Sequence, residues 1–146
     1  MESVRVKILH PMAKLPTYGS AEAAGADLYA CLEQPMMVEP GQSVVVPTGI
    51  AMEVPVGCAG LIYARSGLAC KRGLAPANKV GVIDSDYRGQ IVVVLYNHGQ
   101  ESQTIEHGER IAQMVITPVI TPLYEQVDDL SESGRGAGGF GSTGRK

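Results

Sequence analysis

The chain contains no tryptophan and a single phenylalanine, Phe140. That phenylalanine lies in RGAGGFGSTG, residues 135–144, a glycine-rich stretch rather than one of the apolar runs that would form a core. Cysteine is sparse too. Cys31, Cys58 and Cys70 are odd in number, far apart and without a C-x-x-C pair, so neither a disulfide framework nor a zinc site is indicated and a reducing compartment fits. No apolar run approaches the ~18 residues that a membrane span needs, and MESVRVKILH (1–10) lacks the charged-then-apolar pattern of a secretion signal. A cytoplasmic protein without a membrane partner is expected. Excess positive charge is also missing: the net charge is −3, which disfavours a nucleic-acid partner. His10, His98 and His107 show no metal-ligand spacing, and no Ser-His-Asp arrangement is evident.

What the chain does contain is a succession of short β-rich runs. VRVKIL (4–9), VVVPTGIAMEV (44–54), LIYA (61–64), QIVVVLYN (90–97), RIAQMVITPVI (110–120) and LYEQV (123–127) are separated by turns such as EPGQ, PVG, HGQ and HGE. Their spacing predicts one all-β domain, a jelly-roll-like β-barrel, over residues 1–127. A chain of this length buries roughly 68–70% of its unfolded surface, enough for a core without staples. Only SGLACKRG (66–73) can form a short helix, limited by its glycines. Ile91–Tyr96 is apolar at every position, so both faces want burial. A second sheet covers one; the other is covered either by a neighbouring subunit or by a sandwich closed within the chain. From Asp128 the composition changes, and DDLSESGRGAGGFGSTGRK (128–146) has too little apolar surface to hold itself in one conformation, which predicts a flexible C-terminal arm.

Four stretches have the composition to carry chemistry. In the arm, the glycines at 136, 138, 139, 141 and 144 allow positive φ and let successive N–H groups surround an anion, while Arg135, Ser142 and Thr143 add donors suited to phosphate. No Gly-Lys pair is present, so this is no Walker loop. The alternative is a disordered tail, against which stands Phe140, an aromatic suited to stacking on a nucleobase. In YARSGLACKRG (63–73), Arg65 and Ser66 precede helix amides at Gly67 that could face an anion, or Arg65 is incidental to a helix start. In PANKVGVIDSDYRG (76–89), Asp84 follows an apolar run whose partial burial would raise its pKa and suit it to general-base work; the alternative is a polar hairpin turn. In AGADLYA (24–30), Asp27 is the sole charge, and by itself reads as a turn residue rather than a metal partner.

Taken in order, AGADLYA (24–30), RSGLA (65–69), GVIDSDYRG (81–89), GERIAQMV (108–115) and RGAGGFGSTG (135–144) resemble the five motifs of the homotrimeric deoxyuridine triphosphatases. The resemblance implies a jelly-roll trimer whose active sites are each built from three chains. It also implies hydrolysis of dUTP to dUMP and pyrophosphate, which clears dUTP from the DNA precursor pool and supplies dUMP for dTMP synthesis. Asp84 would be the general base that activates the attacking water. Asn78 and the backbone around Gly81, Val82 and Ile83 would receive uracil, and Tyr87 would pack under the deoxyribose and exclude a 2′-hydroxyl. Arg65, Ser66, Gly67 and Gln113 would hold the phosphates. A Mg²⁺ ion carried mainly by those phosphates would meet Asp27 through water. The arm of a third subunit would close over the ligand, with Phe140 on the base and Arg135, Gly141, Ser142 and Thr143 on the phosphates.

Two other readings compete. The related dCTP deaminases share the fold, but their hairpin motif has a Pro-Gly pair where this chain has Ser85-Asp86, and their deaminating glutamate is replaced here within Gly67-Leu68-Ala69. A nucleotide-dependent binding module would use the same residues without turnover.

Overall fold

The computed structural model describes residues 3–144. In chain order its elements are β1 (Arg5–Ile8), β2 (Thr17–Tyr18), β3 (Ala26–Tyr29), β4 (Met36–Val38), β5 (Ser43–Pro47), β6 (Ile50–Glu53), β7 (Cys58–Tyr63), α1 (Ser66–Arg72), β8 (Leu74–Pro76), β9 (Gly81–Ile83), β10 (Val92–Asn97), β11 (Gln103–Ile105) and β12 (Arg110–Pro118). Every strand pairing is antiparallel. The strands form a five-stranded sheet β2-β3-β12-β7-β9, a three-stranded sheet β5-β10-β8 and the pairs β1-β6 and β11-β4. The all-β, jelly-roll-like architecture is thus the one expected, although the sheets do not close into a continuous barrel. No helix among the described residues is long and apolar enough to cross a membrane.

The core is aliphatic. Leu28, Val38, Val46, Ile50, Leu74, Ile91, Leu95, Ile105 and Ile111 are almost wholly excluded from solvent, and no aromatic ring is among the buried side chains. Cys31 belongs to this interior as a small apolar group; burial, and then the nearby Glu33 carboxylate, push its thiol pKa up.

Two expected runs are interrupted for physical reasons. VVVPTGIAMEV breaks at Gly49, whose φ of +70° is left-handed and whose hydrogen faces Ala13 and Cys31 so closely that a Cβ would lie 2.8 Å from each. The break lets β5 join β10 while β6 turns away to pair with β1. LYEQV (123–127) is not a strand: the whole segment is exposed, with Leu123 99% and Tyr124 97% accessible, because no strand of the same chain lies beside it. The expected helix is present as α1, ended by Gly73 in the left-handed conformation, where a Cβ would meet the Gly99 backbone nitrogen at 2.8 Å. Leu74-Ala75-Pro76, directly after this helix, is β8.

The doubly apolar strand is covered on one face only. Val93, Leu95 and Asn97 of β10 point into the core, whereas Val92 is 38% exposed and Val45, the partner of Val94 on β5, is 55% exposed. A sandwich closed within the chain is therefore not what is formed.

Asn97 ends β10 in the core. Its amide donates to the carbonyls of Val38 at 2.9 Å and Glu101 at 2.8 Å, and its Oδ1 accepts from Gly99 N–H at 2.9 Å. Asn97→Ala leaves those buried groups unpaired and is expected to cost about 2–4 kcal/mol, read as a lowered midpoint in urea with an unchanged m-value.

Candidate active site

The site begins with a bulge. Across the β3-β12 pair, Asp27 lies opposite Gln113 and Tyr29 opposite Arg110. Strand side chains alternate between faces, so residues three apart, such as Arg110 and Gln113, ordinarily point to opposite sides of a sheet. The register shift between Arg110 and Ala112 inserts one residue and brings both onto the face that carries Asp27.

On that face Asp27 is buried, 7% exposed, within β3 and not in a turn. Its Oδ1 accepts a hydrogen bond from Arg65 Nε at 2.7 Å, and its Oδ2 lies 3.4 Å from Arg110 Nη1. A carboxylate withdrawn from water costs several kcal/mol to desolvate, and two guanidinium groups offset that cost here. Arg65 also donates to the Arg110 carbonyl at 3.4 Å. At the other end of α1, Arg72 donates to Glu109 Oε2 at 2.8 Å, to Gln103 Oε1 at 2.9 Å and to the Thr104 carbonyl. Arginines flanking the helix thus tie both of its ends to the adjacent residues Glu109 and Arg110, which sets its direction.

Ser66 and Gly67 then line a depression of about 210 Å³ together with Gly19, Ala23, Gly25, Asp27, Arg65, Arg110 and Gln113. No side chain caps the start of α1, so its first backbone N–H groups are free to donate to an anion's oxygens. Gln113 donates to the Ala64 carbonyl at 2.9 Å, and its Oε1 faces Gly25 so closely that a Cβ there would lie 2.6 Å away. Two guanidinium groups against one carboxylate leave the depression positive. Of the residues singled out in the sequence, Asp27, Arg65, Ser66, Gly67 and Gln113 are brought together; Arg110 and Gly25 were missed, although both stand inside the motifs GERIAQMV and AGADLYA.

A second group sits elsewhere. Gly81, Val82 and Ile83 form β9, paired with Ile62, Leu61 and Gly60 of β7. Asn78 is exposed beside Gly81, where a Cβ would lie 3.5 Å from its amide nitrogen. Asp84 is exposed, contrary to the expected partial burial, because it follows β9 into a surface turn closed by Tyr87 N–H donating to the Asp84 carbonyl at 3.2 Å. Among the described residues its carboxylate has neither a hydrogen bond nor an ion pair. Tyr87 lies over Gly89, where any Cβ would overlap its ring, and its hydroxyl donates to the Gln90 carbonyl at 3.0 Å. Because β9 runs antiparallel to β7, Asp84 emerges at the end of β7 away from Arg65, a separation of roughly 15–20 Å at ~3.3 Å per residue. One chain does not bring the two groups together.

The third group is the arm. From Val119 to Gly144 there is no strand or helix, and residues 133–144 form successive turns in which Gly136, Phe140, Gly141 and Gly144 have positive φ. Arg135 donates to the Gly138 carbonyl at 2.7 Å, while Ser142, Thr143 and the Phe140 ring are exposed. A separate cavity of about 380 Å³, lined by Val4, Val6, Leu15, Tyr18, Met114 and Ile116 among others, has no ionisable group in its lining beyond the Tyr18 phenol.

The Asp27 arrangement is directly testable. Asp27→Asn leaves two guanidinium groups facing a neutral amide; since Arg65 and Arg110 retain some solvent, the expected cost is about 1–3 kcal/mol in urea unfolding, toward the low end for a broken buried pair.

Comparison with known proteins gives the same picture for the whole chain. Residues 12–144 match the family model dUTPase. The chain is 52% identical over 149 residues to a deoxyuridine 5'-triphosphate nucleotidohydrolase of Desulfitobacterium hafniense, covering 99% of each chain. It is 48% identical over 142 residues to one of Syntrophotalea carbinolica, covering 97% of each. Among solved structures, the dUTPase of Staphylococcus bacteriophage 80alpha with dUpNHpp superposes at a TM-score of 0.90, with 31% identity over 99% of both chains. A dUTPase from phage phi11 of S. aureus, solved to reveal the coordination of a structural Mg(II) ion, superposes at 0.79 with 25% identity over 88% of this chain and 98% of that one. Matched by the family model over residues 12–144 and by curated relatives over nearly its whole length, the chain belongs to the dUTPase family.

Proposed function

We propose that the protein hydrolyses dUTP to dUMP and pyrophosphate, limiting dUTP in the DNA precursor pool and supplying dUMP for dTMP synthesis. The observation that carries this reading is the unpartnered carboxylate of Asp84, free to take a proton, on a turn whose floor is the Tyr87 ring. Water gives its proton to Asp84 as its oxygen bonds to the α-phosphorus; the bond to the bridging oxygen breaks and pyrophosphate leaves with that electron pair. Asn78 and the backbone of β9 hold uracil, and Tyr87 fills the space that a ribose 2′-hydroxyl would need. Arg65, Ser66, Gly67, Gln113 and Arg110 hold the phosphates.

Mg²⁺ fits this site as a passenger of the substrate. The depression offers one carboxylate, Asp27, both of whose oxygens already face guanidinium groups, so the chain itself supplies at most a water-mediated ligand. Bound on the triphosphate, the ion supplies neutralisation of phosphate charge. Arg65 then has two possible partners, Asp27 and the phosphates, within reach of one guanidinium.

A homotrimer completes the site. The separation of Asp84 from Arg65 along β7, the uncovered face around Val45 and Val92, and the exposed apolar segment 119–127 all favour sharing between copies. Residues 1–127 act as the catalytic body and residues 128–146 as an arm that closes over a neighbouring subunit, stacking Phe140 on uracil while Arg135, Gly141, Ser142 and Thr143 engage phosphate. Ordering such glycine-rich backbone costs on the order of 1–2 kcal/mol per residue, so closure requires the many contacts of a triphosphate.

The test is pyrophosphate release from dUTP, dCTP, dTTP and UTP, with Mg²⁺ and with chelator. Release from dUTP alone, weakened by chelation, is expected; dUTP binding without release from any nucleotide would instead favour a binding module. Asp84→Asn is expected to lower kcat by about 10²–10⁴-fold with nucleotide affinity little changed, measured by steady-state kinetics and calorimetry. Deleting residues 134–146 is expected to lower turnover on the order of 10²-fold while leaving Tm nearly unchanged, because the arm positions substrate but contributes no core.

A further inference from the structure

The turn that carries Asp84 and Tyr87 is held at both of its ends by backbone. Before it, β9 is paired with β7. After it, Ile91 N–H donates to the Ile50 carbonyl at 2.8 Å and Gln90 Oε1 accepts from Gly49 N–H at 3.0 Å. Between these anchors lie six largely exposed residues, 84–89, crossed by the Tyr87–Asp84 backbone bond and by the Tyr87 hydroxyl. A general base and a sugar floor need positions defined to a fraction of an ångström, which one backbone bond in a solvated turn does not provide.

We propose that Arg88 is the positioning residue that fixes this turn. Its Nη1 donates to the Ser85 carbonyl at 2.7 Å and to the Tyr87 carbonyl at 3.0 Å, fastening the peptide groups that flank the Asp86-Tyr87 pair to one guanidinium nitrogen. Its Nε faces Glu53 Oε1 at 3.8 Å, and the other Glu53 oxygen pairs with Arg5. Glu53 and Arg5 belong to the β1-β6 pair, whereas β9 is the edge of the five-stranded sheet. Arg88 therefore joins the turn to a different sheet from the one that delivers it. The ion pair with Glu53 is long and more than half exposed on the arginine side, so by itself it is worth little; the two carbonyl bonds set the geometry and Glu53 sets the direction of approach. Both carbonyl bonds leave from one nitrogen while Nε faces Glu53, and lysine, with a single ammonium, cannot hold the carbonyls and Glu53 together.

The proposal rests on the dUTP-hydrolysis reading for its kinetic readout. In the full-length protein, Arg88→Met is expected to lower kcat on dUTP at least ~10-fold, with a smaller change in KM, and to narrow the kcat/KM preference for dUTP over UTP because Tyr87 is no longer fixed. Arg88→Lys should recover little of either, whereas Glu53→Gln, which keeps both carbonyl bonds, should retain activity within ~3-fold. A second readout does not require that activity: amide hydrogen exchange at Ser85, Asp86 and Tyr87 should accelerate in Arg88→Met with little change in the core strands. Wild-type kcat and selectivity in Arg88→Met or Arg88→Lys, or unchanged exchange in the turn, would overturn the role of Arg88. A wild-type protein that releases no pyrophosphate from dUTP would overturn the functional reading alone, leaving the exchange experiment to decide this one.

Discussion

The carboxylate of Asp27, held between the guanidinium groups of Arg65 and Arg110, is the interaction on which the site depends. It fastens side chains across three neighbouring elements that strand pairing already brings side by side: β3, β12 and the segment leading from β7 into α1. Desolvating one carboxylate makes both arginines necessary to the folded chain, and their number exceeds its charge, so a structural ion pair leaves a positive depression behind. The bulge between Arg110 and Ala112 is the backbone condition for this arrangement, since without it Arg110 would face the opposite side of the sheet. Arg72 and Glu109 extend the same logic to the far end of α1.

The hairpin and the arm obey a different constraint. Both expose polar and aromatic groups with little partner surface in their own chain, and β7 separates the Asp84 turn from the Arg65 depression. Chemistry that needs a base, a phosphate grip and a stacked ring at one point is then a property of assembled copies in the proposed trimer. In such a trimer, an arm ordered by substrate would exclude water at the moment when the electrostatics at phosphorus gain most from its absence.

Much of this was legible in the residues. Gly73 after a short helical run, the aliphatic strands with turns between them, and the placement of Phe140 outside the core all read directly from local pattern, and the five motifs carried the family. Local pattern failed where a partner decided the outcome. LYEQV has the composition of a strand but finds no neighbour within the chain. VVVPTGIAMEV reads as one run because the sheet change at Gly49 depends on Ala13 and Cys31 packing against its missing side chain. Asp27 read as a turn residue since its arginines are 38 and 83 positions away. Asp84 read as half-buried because the apolar residues before it belong to an edge strand with an exposed end.

By itself the sequence determined the fold class and the short helix with its stop, which follow from side-chain type and near-neighbour periodicity, while most of the site residues were named by the resemblance of its motifs to those of a known family. Only the tertiary structure decided which of those groups share a surface. Register, the bulge in β12 and the antiparallel course of β9 along β7 assign side chains to faces and ends, and a shift of one residue in any of them would send the same residues to different places.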